Sequence, residues 1–212
     1  MSGGGVPRRF PPFTMSLIAL NVVVFIFQQW MEDHSKFPFD DYFALSRGGM
    51  GHGYFWQLLS FQLLHGGWIH LLLNCWGIFV FAPPLEGALG RTRLATTYFL
   101  SGVAGGMLQI LAAMLLKEPI GHQVVGASAG VFGLVAAFTQ LFPEARMTVL
   151  LFFVIPVRMT ANRLLTVAAV ITVVGMVSPN WLLGAHVAHA AHLGGLIAGL
   201  IFIRLFMRRF RG

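Results

Sequence analysis

The chain has 212 residues, of which 57% are hydrophobic, 10% charged and 20 Phe. A soluble domain carries roughly 25% charged residues, so long apolar stretches with charges gathered between them exclude a soluble globular domain and imply a polytopic membrane protein. The net charge of +7 would suggest nucleic acid in a soluble chain, but here Lys and Arg sit at the ends of apolar stretches, where membrane orientation explains them and no nucleic-acid partner is expected.

Met1 to Pro12 is rich in Gly, Pro and Arg and reads as a disordered cytoplasmic segment. A first span is expected over about residues 13–30. Arg8 and Arg9 before it resemble the start of a signal peptide, but Gln28, Gln29 and Trp30 stand where a small-residue cleavage site would be, so the span is read as retained. Asn21 within it should face other helices rather than lipid. Residues 32–53 form a polar loop with Asp33, Asp40 and Asp41. Tyr54 to Ala82 is then one apolar run of 29 residues, longer than the roughly 20 that cross a bilayer. It divides into Tyr54 to Leu64, lying at the interface or dipping into the protein, and a second span over about 66–82 that Pro83-Pro84 should break.

A short charged connection leads to a third span, 94–116, with Gly102, Gly105 and Gly106 as close-packing positions. A loop at 117–125 precedes the fourth span, 126–142. Met147 to Ile155 is apolar but too short to cross and reads as an interfacial connector closed by Pro156 and Arg158. A fifth span, 164–177, a turn at Ser178-Pro179-Asn180 and a sixth span, 183–206, complete the pattern. The expected fold is all-α, a six-helix membrane bundle over residues 13–207 with an embedded first loop and a basic tail at 208–212. With both termini cytoplasmic, only Lys36, Arg47 and Lys117 of the 14 Lys and Arg fall outside, as the positive-inside rule requires, and Ser128 lies near the outer end of its span.

Polar groups inside spans are costly and mark function by default. The second span carries His70 and Asn74, with His65 at its mouth; the fourth carries Ser128; the sixth carries His186, His189 and His192. Ser128 stands in Gly126-Ala127-Ser128-Ala129-Gly130, where small neighbours leave its hydroxyl open to a substrate backbone, and a helix N-terminus offers free N–H groups to an oxyanion. Its plain alternative is a small packing residue. His70 and Asn74, four apart, share a helix face and suit an oxyanion, or else staple two helices. His192 is the best general base. It precedes Gly195 and Gly199, and the serine helix has its own small face, so two helices nearly in backbone contact would bring Ser128 and His192 together. His186 and His189 should lie nearer the aqueous end, with His189 as the rival base. A metal reading of the three histidines is disfavoured, because their i, i+3, i+6 spacing spreads the rings around the helix by roughly 240°. No aspartate lies in a span, so a Ser-His dyad is what the residues allow, its imidazole oriented by packing or a neutral hydrogen bond. The lone Cys75 excludes an internal disulfide and reads as a packing residue.

His65-x4-His70-x3-Asn74, Leu85-Glu86-Gly87-x2-Gly90, the Ser128 motif and Ala191-His192-x2-Gly195-x3-Gly199 resemble, in order and on the right spans, the motifs of the rhomboid intramembrane serine proteases. The resemblance covers nearly the whole chain. It implies Ser128 as nucleophile and His192 as its base. His70 and Asn74, with the Ser128 N–H, would form the oxyanion hole, and Gly126 would shape the loop before the serine. It further implies structural roles for His65 and Glu86, a membrane-embedded first loop at Tyr54 to Leu64, no cofactor, and transmembrane proteins as substrates. The chain departs from the family pattern at Gln57, where many relatives have Arg, at Ala129, where glycine is common, and at Pro83-Pro84. The alternatives are an inactive rhomboid-like protein that binds membrane clients, and a channel or transporter, which the clustering of polar groups toward one end opposes. Short loops and the lack of a transit-like leader point to a bacterial cytoplasmic membrane; client, cleavage site and oligomeric state are not legible.

Overall fold

In the computed structural model, residues 11–116, 122–151, 155–177 and 188–208 are described. The expected N-terminal disorder, the turn at Ser178-Pro179-Asn180, His186 and most of the basic tail lie outside the described residues.

Helix α1 (Pro12–His34) opens on a proline, whose missing N–H costs nothing in a first turn. The next free donors are met from another helix. Glu86 accepts from the backbone N–H of Phe13 at 3.0 Å and Thr14 at 2.8 Å, and from Thr14 Oγ1 at 2.8 Å. Glu86 lies near the end of a later span (Trp68–Leu89), so the contact fixes the start of one span against the end of another and sets a carboxylate at a helix N-terminus, where the dipole favours it.

Between these spans the first loop folds as α2 (Phe39–Phe43), β1 (Leu45–Ser46), α3 (Arg47–Gly51) and α4 (Gln57–Ser60). It turns Gln57, Phe61, Gln62, Leu64 and His65 into the protein while Phe55, Trp56 and Leu59 stay exposed. It is therefore a dipping segment with an apolar outer edge. Gln57, at the departure from the family pattern, is fully buried. Its Oε1 accepts from the Ser46 N–H at 3.2 Å and its Nε2 donates to the carbonyls of Asp41 at 2.9 Å and Tyr42 at 3.3 Å. The neutral side chain anchors the loop by hydrogen bonds alone.

The second span, α5 (Trp68–Leu89), runs through Pro83 and Pro84, correcting the expected break. The prolines withdraw donors from the carbonyls of Phe79 and Val80. The helix continues because the residues beyond are held: Leu85 is fully buried and Glu86 is bonded to α1. Helix α6 (Arg91–Leu115) follows after Gly90.

Gln123–Val124 form β2, paired antiparallel with β1. The serine helix α7 (Ser128–Leu141) begins two residues later than the sequence suggests. Its 14 residues extend about 21 Å at 1.5 Å per residue, less than the roughly 30 Å of bilayer hydrocarbon. It is buried along most of its length, so other helices rather than lipid surround it. The expected connector after it is a hairpin, β3 (Arg146–Leu151) against β4 (Ile155–Thr160), leading to α8 (Ala161–Val177). Helix α9 (His189–Arg208) closes the bundle and packs closely with α6 and α7. Leu17, Ile78, Leu85, Leu94, Leu134 and Ile203 join α1, α5, α6, α7 and α9 in the main core. Among the described residues four helices are long and apolar enough to cross a membrane, and α7 and α8 are shorter apolar helices. The described residues form an all-α integral membrane bundle with two short strand pairs, β1–β2 and β3–β4.

Candidate active site

The site lies where α5, α7 and α9 begin. A cavity of about 580 Å³ opens there, lined among others by His70, Asn74, Ser128, Phe132, His189 and His192. Ser128 is the first residue of α7, so its N–H and the next two lack intrahelical acceptors; the ladder starts with the Val131 N–H on Ala127 O at 3.0 Å.

His192 Nε2 is 2.8 Å from Ser128 Oγ. With the hydroxyl donating, Nε2 is the acceptor and the neutral ring carries its hydrogen on Nδ1. The closeness comes from backbone packing. A Cβ on Gly195 would fall on the Ala129 carbonyl oxygen, and one on Gly199 on that of Gly133. Only glycine lets α9 lie this close to α7. The start of α9 is held from α6, where Gln109 Oε1 accepts the Ala191 N–H at 3.2 Å. Orientation of the imidazole comes from Phe132, whose ring stacks on it at 4.3 Å and 7°. Phe132 is four residues beyond Ser128, on the same helix face. One helix thus presents both the hydroxyl and the surface against which its partner ring lies. The ring is thus held by packing, with no carboxylate against it among the described residues.

His70 and Asn74 flank Gly126. A Cβ there would lie 2.7 Å from His70 Cε1 and Nε2 and 3.7 Å from Asn74 Nδ2. Gly126 itself has φ +128°, a region that side chains rarely adopt, and its N–H donates to Phe61 O at 2.8 Å. The first loop thus sets the backbone just before Ser128, with further ties through β1–β2 and a 2.6 Å bond from Gln123 Nε2 to Asp41 Oδ1. Gly66 N–H points at His70 Nδ1 at 3.4 Å, which leaves the hydrogen of the neutral ring on Nε2, beside Gly126. Asn74 Nδ2 spends one hydrogen on His70 O at 3.1 Å, and its second is left to donate.

His65 lies behind these donors. Its N–H donates to Gln28 Oε1 at 3.0 Å, its Nδ1–H reaches Leu63 O at 3.3 Å, and its ring sits edge-on to Phe25 at 6.3 Å. Burial, with His70 alongside, pushes its pKa down to about 4. It ties the first loop to α1.

His189 corrects an expectation. It is 4% exposed rather than solvated, and neither ring nitrogen has a hydrogen-bond partner among the described residues. Gly175 of α8 leaves the space its ring fills. Its ring centroid is 6.2 Å from that of His192, and it makes no bond to Ser128 among the described residues. Phe132 and Gln109 are not singled out by the sequence. A buried glutamine in a span is itself a signal, and Phe132 is visible as the i+4 neighbour of the serine. Glu86 lies away from the site, where its carboxylate is bonded to the start of α1 and paired with Arg91, and Gly195 and Gly199 serve the α7–α9 packing seam rather than the cavity lining.

A model of the Rhomboid domain matches residues 52–209. YdcA of Bacillus subtilis (strain 168), which bears the provisional name of a rhomboid protease, is 34% identical over 130 residues, 61% of this chain and 62% of that protein. RHOMBOID-like protein 4 of Arabidopsis thaliana is 32% identical over 149 residues, 69% of this chain and 32% of its own. Rhomboid protein 1, mitochondrial, of Saccharomyces cerevisiae is 30% identical over 146 residues, 69% and 40% of the respective chains. The chain therefore spans less than two thirds of the length of these relatives. With the match covering most of the chain, the protein belongs to the rhomboid family.

Proposed function

We propose that the chain is an intramembrane serine endopeptidase that cuts transmembrane segments of other proteins near the end of the bilayer where α7 begins. The observation that carries the reading is the 2.8 Å approach of Ser128 Oγ to His192 Nε2. Ser128 Oγ attacks a peptide carbonyl as His192 Nε2 takes its proton. The oxyanion is met by the Ser128 N–H, by Asn74 Nδ2 and by His70 Nε2–H, donors already fixed before the charge develops. The imidazolium gives its proton to the leaving amine, leaving an acyl-enzyme. Water in the cavity then attacks the ester carbonyl, His192 takes its proton and returns one to Ser128 Oγ, and the carboxylic acid product leaves. No cofactor is needed.

The excess of Arg at the opposite end of the bundle supports a cytoplasmic location for both termini, and the short loops support a bacterial cytoplasmic membrane. The test of the chemistry is covalent labelling by a fluorophosphonate, which requires an activated serine. Labelling of the wild type that is absent from Ser128→Ala and His192→Ala supports the protease. A folded wild type that takes no label favours the client-binding, inactive alternative.

A further inference from the structure

The hairpin between α7 and α8 has no part in the site. In its register Met147 pairs with Met159 and Val149 with Val157, while Thr148 pairs with Arg158 and Arg146 with Thr160. Cross-strand partners share a face and successive residues alternate. Over the four pairs nearest the base, residues 146–149 with 157–160, one face therefore carries four apolar side chains and the other two arginines and two threonines. Exposure follows this division away from the base: Arg146, Thr148 and Arg158 are exposed, Met147, Val149, Val157 and Met159 are half-buried, and Thr160, next to α8, is half-buried as well. The sequence between, residues 150–155, reads Leu-Leu-Phe-Phe-Val-Ile without a charge.

The base of the hairpin is fixed. Ala161 N–H donates to Ala145 O at 3.0 Å and Asn162 N–H to Pro143 O at 3.4 Å, and Ala161 is part of the main core. The base therefore sits where α7 ends and α8 begins, at the end of the bundle opposite Ser128. Strands of six residues reach about 20 Å at 3.3 Å per residue. Of the four apolar residues, Met147 packs against the main core. A two-stranded hairpin is marginal in water unless one face is covered, and the apolar surface continuous with this base is the bilayer that holds α7 and α8. The polar face is basic, no Asp or Glu follows Glu144 in the chain, and Arg163 adds a cation on the first turn of α8.

We propose that β3–β4 lies along the leaflet opposite Ser128. Met147, Val149, Val157 and Met159 face the acyl chains, and Arg146 and Arg158 meet the phosphates of anionic lipid. A flat amphipathic arm at the headgroup boundary hides its apolar face and leaves its cations at phosphate level, as interfacial helices do. The proposal does not depend on Ser128 being a nucleophile.

The test uses the full chain with Cys75→Ala and a single cysteine at Val149→Cys, Val157→Cys or Thr148→Cys, labelled with an environment-sensitive fluorophore. Each variant is reconstituted in vesicles of phosphatidylethanolamine with phosphatidylglycerol, and in phosphatidylcholine alone. The expected result is severalfold stronger quenching by acyl-brominated lipid at 149 and 157 than at 148, with aqueous iodide showing the reverse. The contrast should be larger in the anionic vesicles, and Arg146→Gln with Arg158→Gln should reduce it to the phosphatidylcholine level. Equal iodide quenching at all three sites overturns the proposal by placing the arm in water. Protection from both quenchers, with cross-linking between copies, overturns it in favour of a second copy of the chain as the cover. Identical behaviour in the two lipids overturns the anionic-lipid contact.

Discussion

Where α9 meets α7, backbone touches backbone; where α9 meets α8, a side chain fills the gap. The Cβ that Gly195 lacks would fall on a main-chain oxygen of α7, and the one that Gly175 lacks would fall on the His189 ring. On its outer side α8 leaves Val167, Val170 and Val173 exposed at 41%, 55% and 49%. The two walls of the cavity thus differ in what can give way. Neither helix backbone can yield along the α7–α9 seam without moving Ser128 relative to His192, whereas an imidazole can rotate. The dyad geometry is set by the rigid wall, and α8 is the wall that can adapt.

Outside Ser128 and His192 themselves, the largest expected effect breaks the rigid wall. Gly195→Ala places a methyl against the Ala129 carbonyl, and overpacking of this kind costs roughly 1–3 kcal/mol. A shift of about 1 Å in the dyad lowers reaction roughly 100-fold. Gly175→Ala meets first the His189 ring, a side chain rather than a backbone, and should leave fluorophosphonate labelling close to wild type. Equal losses in the two variants would show that the walls are equivalent. Asn74→Ala removes a donor beside Gly126 without touching the seam. Its labelling rate should fall about 100-fold, with the thermal midpoint in detergent little changed.

The first loop is the third boundary of the site, and its tie to α1 is sensitive to pH. His65 titrates near 4 in the folded chain against 6.5 unfolded, so the folded state prefers the neutral ring. Stability is fully present above pH 6.5 and is lost as pH falls toward 4, by about 3 kcal/mol at most, at 1.36 kcal/mol per unit. Thermal unfolding of wild type and His65→Phe across this window measures it; the phenylalanine variant should lose less. A smaller effect sharpens the account of orientation. Phe132→Ala removes a stacked pair worth about 0.5–1.5 kcal/mol, so labelling should slow roughly tenfold, and Phe132→Tyr should restore most of it.

The spans and the pairing of Ser128 with His192 are legible because they rest on spacing. A polar residue in an apolar run is conspicuous, and glycines four apart announce a close helix contact. What is not legible depends on partners distant in sequence. The prolines at 83 and 84 read as a break because nothing local shows that Glu86 will be held by α1. His189 reads as solvated because its cover is a glycine on another helix. The hairpin hides in the run from Met147, where the alternation of Met, Thr and Val gives way to Leu-Leu-Phe-Phe and loses its period of two. Gln57 reads only as a departure where many relatives carry an arginine; its anchoring role is hidden because the two carbonyls and the N–H that its amide bonds at once lie 11 to 16 residues away.

The most direct test of the central claim is the rate of fluorophosphonate labelling of the full chain in vesicles, for wild type, Ser128→Ala, His192→Ala and His189→Ala. Labelling is expected in the wild type and in His189→Ala, none in Ser128→Ala, and a loss of at least about 10⁴-fold in His192→Ala. Undiminished labelling in His192→Ala, or labelling that persists without Ser128, would contradict it.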